Sequence, residues 1–226
     1  MNVKKIIRVY HYLRCIPKTL LFNFYYFSFK EAIRFPVIVS HKTAFLSLDG
    51  KVVLPKKAKT AKIKLGFGRV QVTDSKYSRF IWNVEKDATI TFGHNVRIGT
   101  GSRLDVSGDL TFGDGCNFSG ESSIVCKKTI RFGQSCLVSW QTLFMDSDLH
   151  TITDASGAQT NPNNAIEIGD KVWVGARASI LKGVHIGGNS VIATNSIVVK
   201  SFEDNSVIGG NPAKQIGDFK DKKFQC

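Results

Sequence analysis

An aliphatic side chain returns at every sixth position along the last third of the sequence. These positions are Ile168, Val174, Ile180, Ile186, Ile192 and Val198. The period fits neither the 3.6-residue repeat of a helix nor the alternation of a half-exposed strand, so it indicates a repeat architecture. Four positions after these residues stand side chains of small or moderate size, namely Val172, Ala178, Val184, Ser190 and Ser196.

Two inward positions in six residues are what a triangular coil of short strands requires. The aliphatic residue points inward from a flat side, and the smaller residue packs near a corner, where the backbone leaves little room. Three sides close a coil of about eighteen residues, and such coils stack about 4.8 Å apart. An antiparallel sandwich would instead show two-residue alternation with irregularly spaced turns. The pattern therefore predicts an all-β fold, a parallel β-helix.

Longer coils precede this region. Phe92, Phe112 and Phe132 are each followed by glycine and lie twenty residues apart, which is three six-residue steps plus two residues. Short apolar alternations between residues 36 and 91 suggest irregular first coils, whose register the pattern leaves open. The sequence thus predicts that most of the chain is one stack of coils.

The positive charge of the chain is concentrated before the repeats. Residues 1–80 hold 17 of the 31 Lys and Arg of the chain but only 3 of its 18 acidic residues. The remaining residues hold 14 Lys and Arg and 15 acidic residues, so they are nearly neutral. Aromatic and basic residues alternate over residues 1–35, and the longest uncharged run, residues 19–29, is too short to cross a bilayer. The segment contains no cleavage site of a secretory signal. No nucleic-acid recognition motif accompanies the charge, which disfavours that class of partner.

Two interpretations of residues 1–35 stay open. They predict an amphipathic helical segment that lies on the inner face of the plasma membrane, or one whose apolar face covers the open end of the coil stack. Both can hold together. We expect a cytoplasmic protein, with peripheral membrane contact as a hypothesis.

The cysteines favour a reducing compartment. There are five, an odd number, and no CxxC pair occurs, which argues against a disulfide framework. Cys116 and Cys136 occupy the small inward position of equivalent coils, so they are predicted to be buried thiols. Cys15, Cys126 and Cys226 show no spacing typical of metal ligands, and we expect no metal.

The repeat is interrupted once, between His150 and about Ile166. The inserted residues are polar and rich in Asn, Thr, Gly and Pro, which is typical of a loop, and loops on rigid scaffolds often carry function. His150 stands at the start of this loop, close to Asp146 and Asp148. A carboxylate can hold one imidazole nitrogen while the other accepts a substrate proton. The alternative is a solvated surface loop without a catalytic role.

The sequence resembles a known family over residues 92–217. The resemblance rests on DSDLH at 146–150, IGDKVWVGARASILKGVHIGGNSVI at 168–192 and GGNPAK at 209–214. These motifs are similar to those of the hexapeptide-repeat acyltransferases, particularly the maltose and galactoside O-acetyltransferases and their surface-polysaccharide relatives. The resemblance implies a left-handed parallel β-helix, a homotrimer, acetyl-CoA as donor, no metal, and a sugar hydroxyl as acceptor in lipopolysaccharide, capsule or exopolysaccharide synthesis. A lipid-linked acceptor is a further hypothesis.

The resemblance also implies roles for single residues. His150 matches the general base, which Asp146 or Asp148 would orient. Counted from Phe144, Asp148 falls on the usually inward small position, which favours Asp146 as the exposed carboxylate. Trp173 matches an aromatic residue beside the acceptor, although it can instead be a surface aromatic at a subunit contact.

Five positions match the site for coenzyme A. The main-chain N–H of Ala176 would face the thioester, and Lys214 would lie near the phosphates. Thr194, Val199 and Lys200 match the pantetheine and nucleotide path. The stretch 193–195 departs from the small residues common in relatives, so the groove is expected to differ in shape there.

The predicted organisation has three parts. Residues 1–40 form a basic aromatic helical segment, residues 41–217 the β-helix with a loop at about 150–167, and residues 218–226 a tail. Three alternative functions stay open: N-acylation of a nucleotide-linked amino sugar, a non-catalytic scaffold, and a β-helical carbonic anhydrase. The last needs three histidine ligands, and no close histidine pair on adjacent coils is predicted.

Overall fold

The computed structural model describes residues 3–68, 70, 72 and 76–224, without the side chain of Lys4. Two helices open the described chain, α1 at Val3–Tyr26 and α2 at Phe29–Ala32. Every later element is a short strand, and each strand except the last pairs with one that lies about one coil away in the sequence. The described residues therefore form a β-helix with a helical start.

The strands fall into three sheets that form the three sides of the prism. The first sheet contains β1 (Val37–Val39), β4 (Ile63–Leu65), β7 (Arg97–Thr100), β10 (Asn117–Gly120), β13 (Leu137–Val138), β16 (Trp173–Val174), β19 (Val191–Ile192), β21 (Ser206–Gly210) and β22 (Ala213–Asp218). The second contains β2 (Ala44–Leu48), β5 (Ile81–Val84), β8 (Arg103–Val106), β11 (Ser123–Cys126), β14 (Leu143–Met145), β17 (Ser179–Leu181) and β20 (Ile197–Val198). The third contains β3 (Lys51–Val53), β6 (Thr89–Phe92), β9 (Asp109–Phe112), β12 (Thr129–Phe132), β15 (Ile166–Ile168) and β18 (His185–Ile186).

The chain visits the sheets in the order first, second, third, and then begins the next coil. We call the turn from the first to the second sheet the first corner, and the turn from the second to the third sheet the second corner. All described strand pairs are parallel except that of β21 with β22, which closes the C-terminal end. Equivalent corners of successive coils therefore lie above one another along the prism.

Stacked aromatic rings show how closely the coils repeat. The rings of Phe92 and Phe112 are 5.5 Å apart and within 9° of parallel, and those of Phe112 and Phe132 are 5.5 Å apart and within 4°. Each of these phenylalanines is buried. The twenty-residue spacing in the sequence is thus the length of one coil.

The six-residue pattern is confirmed as the inward pattern of the prism. Ile168 is 3% exposed, and the five aliphatic residues that follow it at six-residue steps are fully buried. Ser190 and Ser196, at the small position, are also fully buried. The buried thiols predicted at Cys116 and Cys136 are confirmed as well.

Helix α1 lies against the first coil. Phe22 is fully buried, with its ring 5.0 Å from that of Trp82, and the Trp82 indole N–H donates to Tyr26 Oη at 3.0 Å. Buried Asn23 replaces part of a neighbouring strand: its Nδ2 donates to Val37 O at 2.7 Å, and Val37 N–H donates to its Oδ1 at 3.3 Å. The helix thereby satisfies polar groups of an edge strand.

The β-helix starts slightly earlier than residue 41, where the sequence analysis placed its beginning. β1 begins at Val37 because Asn23 of α1 supplies the partners that the edge strand needs. The pattern could not reveal this, since the partner comes from the helix. Among the described helices, none is long and apolar enough to cross a membrane.

Candidate active site

The predicted loop leaves the prism at the second corner, between β14 and β15. Its base is closed where Asn164 N–H donates to Asp146 O at 3.0 Å, and Gly183 N–H, one coil later, donates to Asn164 O at 3.1 Å. Farther out, Thr160 N–H donates to Ile152 O at 2.8 Å. The loop is therefore a small folded arm held by its own hydrogen bonds.

His150 lies near the start of this arm and is exposed. Its position is fixed through the main chain, because Asn161 Nδ2 donates to His150 O at 2.8 Å. The same amide group donates to Asp148 Oδ2 at 2.9 Å, and its Oδ1 accepts from Ile152 N–H at 2.6 Å. Asn161 thus connects the two sides of the arm next to His150. No pattern in the sequence indicated this role.

Asp148 is the more accessible carboxylate of the pair and is half-buried. It forms an ion pair with Lys182 of the next coil at 2.5 Å. The hydrogen bonds from Lys182 and then Asn161 lower the pKa of Asp148 below its usual value. Among the described residues, the imidazole of His150 has no hydrogen bond to either Asp146 or Asp148.

Asp146 is fully buried. Its carboxylate accepts three main-chain N–H groups at the second corner of the preceding coil: Lys127 at 2.7 Å, Lys128 at 2.8 Å and Thr129 at 2.8 Å. The expectation that Asp146 is the exposed carboxylate and Asp148 the inward one was wrong. Asp146 instead fastens the root of the arm to the coil below it.

The reason for this error lies in the length of the coil. Phe144 pairs with Ile124, which in turn pairs with Leu104, so Asp146 follows at the position of Cys126 and Val106. That position is buried in both earlier coils. Twenty-residue coils have a second inward side chain two residues after the first, as strand alternation requires. The six-residue register therefore does not apply to this side of the prism.

Three of the other predicted residues lie on the first sheet and at the first corner. Trp173 is 38% exposed, and its indole N–H donates to Ser139 Oγ at 3.4 Å. Ala176 O accepts from Asn195 N–H at 2.8 Å, which places Ala176 beside exposed Thr194 of the next coil. Among the described residues, the N–H of Ala176 has no acceptor. This corner offers a free main-chain donor.

The remaining predicted residues lie toward the C-terminal end. Val199 is half exposed at the second corner, and the Lys200 ammonium lies 5.5 Å from the centre of the Phe202 ring. Lys214 is exposed on β22, where it pairs with Gly209. Val199 and Lys200 thus share a corner with the His150 arm, whereas Trp173, Ala176 and Thr194 lie at the neighbouring corner.

The prism of three parallel sheets, with a histidine arm at one corner, defines the class of hexapeptide-repeat β-helix proteins. No family model matches the chain. It is 30% identical over 160 residues to a putative lipopolysaccharide biosynthesis O-acetyl transferase of Escherichia coli (strain K12). The aligned region covers 66% of this chain and 81% of that relative. The chain belongs to the hexapeptide-repeat O-acetyltransferase family, as the sequence motifs predicted, and is an acyltransferase.

One further sequence likeness agrees with this assignment, and one structural likeness agrees with the fold. The chain is 33% identical over 133 residues to the galactoside O-acetyltransferase of Lactococcus lactis subsp. lactis (strain IL1403), over 59% of this chain and 58% of that protein. The crystal structure of the polySia specific acetyltransferase NeuO superimposes with a TM-score of 0.55 at 22% identity, covering 84% of this chain and 79% of that chain. The fold is the left-handed parallel β-helix that the resemblance implied.

The two carboxylates near His150 should respond differently to substitution. We expect Asp146→Ala to lower the free energy of unfolding by about 3 kcal/mol or more, because it leaves three main-chain donors without their charged acceptor. Asp148→Ala should cost only a small fraction of this, since its ion pair with Lys182 is partly exposed to solvent. Denaturant unfolding monitored by circular dichroism measures both variants. Equal effects of the two substitutions would contradict this assignment.

Proposed function

We propose that this protein transfers the acetyl group of acetyl-CoA to a sugar hydroxyl during the synthesis of a surface polysaccharide. The observation that carries the proposal is the exposed imidazole of His150, on an arm whose main chain Asn161 fixes. The acceptor class is supported by the relative that is described as a lipopolysaccharide biosynthesis enzyme. The exposed position of the arm leaves room for a large acceptor.

The chemistry requires a base and an oxyanion donor. The neutral imidazole of His150 takes the proton of the acceptor hydroxyl while that oxygen forms a bond to the thioester carbonyl carbon. The tetrahedral intermediate then collapses, the C–S bond breaks, and the CoA sulfur leaves and receives the proton from the imidazolium. The free N–H of Ala176 is suited to donate to the developing oxyanion. No acyl-enzyme is needed, because the thioester is already activated.

Asn161 and Asp148 contribute to this step by holding the arm that carries His150. Asn161 holds the carbonyl of His150, and Asp148 remains ionised through its ion pair with Lys182. Among the described residues, neither group forms a hydrogen bond with the imidazole. We propose that Asn161 is a positioning residue, and that Asp148, which binds both Asn161 and Lys182, helps to hold the arm in place.

Removal of the imidazole tests the proposed base. We expect His150→Ala to lower kcat by roughly 10²–10⁴-fold, the contribution of a general base, with the fold unchanged because the side chain is exposed. The assay is CoA release with deacetylated surface glycan as acceptor. His185→Ala is the matched control, since His185 is also exposed, on β18. Full activity of the His150 variant would contradict the proposed base.

The two halves of the proposed site lie at different corners of one chain. His150 stands at the second corner, whereas Trp173 and Ala176 belong to the first sheet and the first corner. A second copy can bring its first corner to the second corner of its neighbour, and three copies close such a head-to-tail ring. We propose a homotrimer in which each site takes His150 from one subunit and the thioester cleft from the next.

Within such a site, the remaining residues have roles that suit their chemistry. Thr194 lies beside Ala176 along the prism and is proposed to line the pantetheine path. Val199 offers an exposed apolar surface, while Lys200 and Lys214 provide cations for the CoA phosphates. Trp173 would cover the acceptor side of the acetyl group.

Mixed trimers test the shared site. His150→Ala removes the base, and Thr194→Trp, at an exposed position, should block the cleft for pantetheine. When the two inactive variants are co-expressed with different tags, every trimer that carries both tags has one intact site in three. We therefore expect about one third of the wild-type rate per trimer for a head-to-tail ring. No recovery of activity would contradict a site that two subunits share.

We also propose that α1 contacts anionic lipid. Its buried or half-buried stripe, which faces the first coil, is formed by His11, Cys15, Thr19, Phe22 and Tyr26. The other faces expose large apolar side chains among cations such as Arg8 and Arg14. A helix with exposed apolar residues and Lys or Arg is suited to the interface of an anionic membrane. This contact would bring the enzyme to a lipid-linked acceptor.

Helix α1 packs against the first coil, so its deletion would disturb the fold. Substitutions on its exposed faces therefore test the membrane contact better than deletion. Leu13→Gln combined with Arg8→Glu should reduce sedimentation with phosphatidylglycerol vesicles by about tenfold, since it removes both apolar burial and charge attraction. The control combines Lys86→Glu with Lys128→Glu, which reverses two exposed charges on the β-helix and leaves α1 intact. This control should reduce sedimentation much less. Equal sedimentation of all three proteins would exclude docking through α1.

A further inference from the structure

Three side chains with metal-binding atoms meet where α1 crosses the first corner. His11 and Cys15 are four residues apart on α1 and therefore share one face of the helix, and His41 follows β1. Cys15 Sγ lies 3.9 Å from His11 Nε2 and 3.8 Å from His41 Nδ1. The three ligand atoms all lie within 4.8 Å of one another. The sequence analysis found no metal-ligand spacing here because His41 is distant in the chain.

We propose that His11, Cys15 and His41 bind a soft metal ion that fastens α1 to the first coil. Around a zinc ion with ordinary bond lengths, sulfur and nitrogen ligand atoms lie about 3.6 Å apart. The observed separations from Cys15 Sγ are only a few tenths of an ångström longer. Small rotations of the two imidazole rings would close the remaining gap between their nitrogens.

One main-chain group beside the sulfur is suited to a bound thiolate. Cys15 is 1% exposed, and the main-chain N–H of His41 points at its Sγ from 3.4 Å. Hydrogen bonds of this kind support metal-bound sulfur from the second coordination shell. The elements that carry the ligands are also held together independently, since Val39 N–H donates to Thr19 Oγ1 of α1 at 3.0 Å. The site is therefore partly assembled before any ion binds.

The ligand set and the local charge select the ion. One thiolate and two imidazoles favour Cu⁺ or Zn²⁺ over the oxygen-seeking Mg²⁺ and Ca²⁺. The cations Arg14, Lys18 and Lys42 line the same surface pocket as His41, so additional positive charge at this site is costly. A thiolate cancels the charge of Cu⁺ but only half that of Zn²⁺. We therefore expect Cu⁺ to bind more tightly than Zn²⁺.

The test is metal binding to the intact, fully reduced protein under anaerobic conditions. Cu⁺ is titrated against bicinchoninate and Zn²⁺ against a chromophoric chelator, and the stoichiometry per chain is measured. We expect one ion per chain, with at least about 100-fold weaker binding in Cys15→Ala and in His41→Gln, because each removes a ligand from a three-ligand site. Thermal unfolding with and without metal provides a second measurement, since an ion that binds only the folded state raises Tm.

Two variants serve as matched controls. Cys126→Ala removes another buried thiol, and His185→Gln another imidazole, and both should keep the wild-type stoichiometry. Circular dichroism confirms that each variant is folded before its affinity is compared. A folded wild-type protein that binds neither ion, or binding that Cys15→Ala retains, would overturn the site and leave a packed polar cluster. Tighter binding of Zn²⁺ than of Cu⁺ would overturn the charge argument.

Discussion

The structure depends on the packing of inward side chains between successive coils. Each coil places its aliphatic or aromatic residue directly above the equivalent residue of the previous coil, and main-chain hydrogen bonds join the two along all three sides. A change of register by one residue would turn a whole side of the coil outward. This constraint explains why the spacing in the sequence is so strict, and why corners that are far apart in the chain lie in line along the prism.

The functional arm uses the same constraint. The second corner can carry a connection of twenty residues, 146–165, because Asp146 occupies an inward position and binds the main-chain donors of the coil below. A buried carboxylate with three such partners is stable where an unpaired one would not be. Asn161 then organises the arm from within. The scaffold thus fixes the root of the arm, and the arm presents His150 to solvent.

The sequence was sufficient for the fold but not for the details of the site. The six-residue and twenty-residue periods predicted the buried positions, including Phe112 and Ser190, because the coil geometry leaves few alternatives. The exposure of Asp146 was predicted wrongly because the longer coils have a different register. Side-chain partnerships between distant segments, such as Asn23 with Val37 and Cys15 with His41, have no periodic signal. They arise only when α1 packs on the first coil.

We propose that the imidazole of His150 meets a thioester held at the first corner of a neighbouring subunit. The most direct measurement is a crystal structure of the protein with acetyl-CoA. We expect a trimer in which the acetyl carbonyl oxygen accepts from the Ala176 N–H and the His150 ring of the adjacent subunit faces the carbonyl carbon, leaving space for one hydroxyl. A thioester bound away from His150, or a donor site complete within one chain, would contradict it.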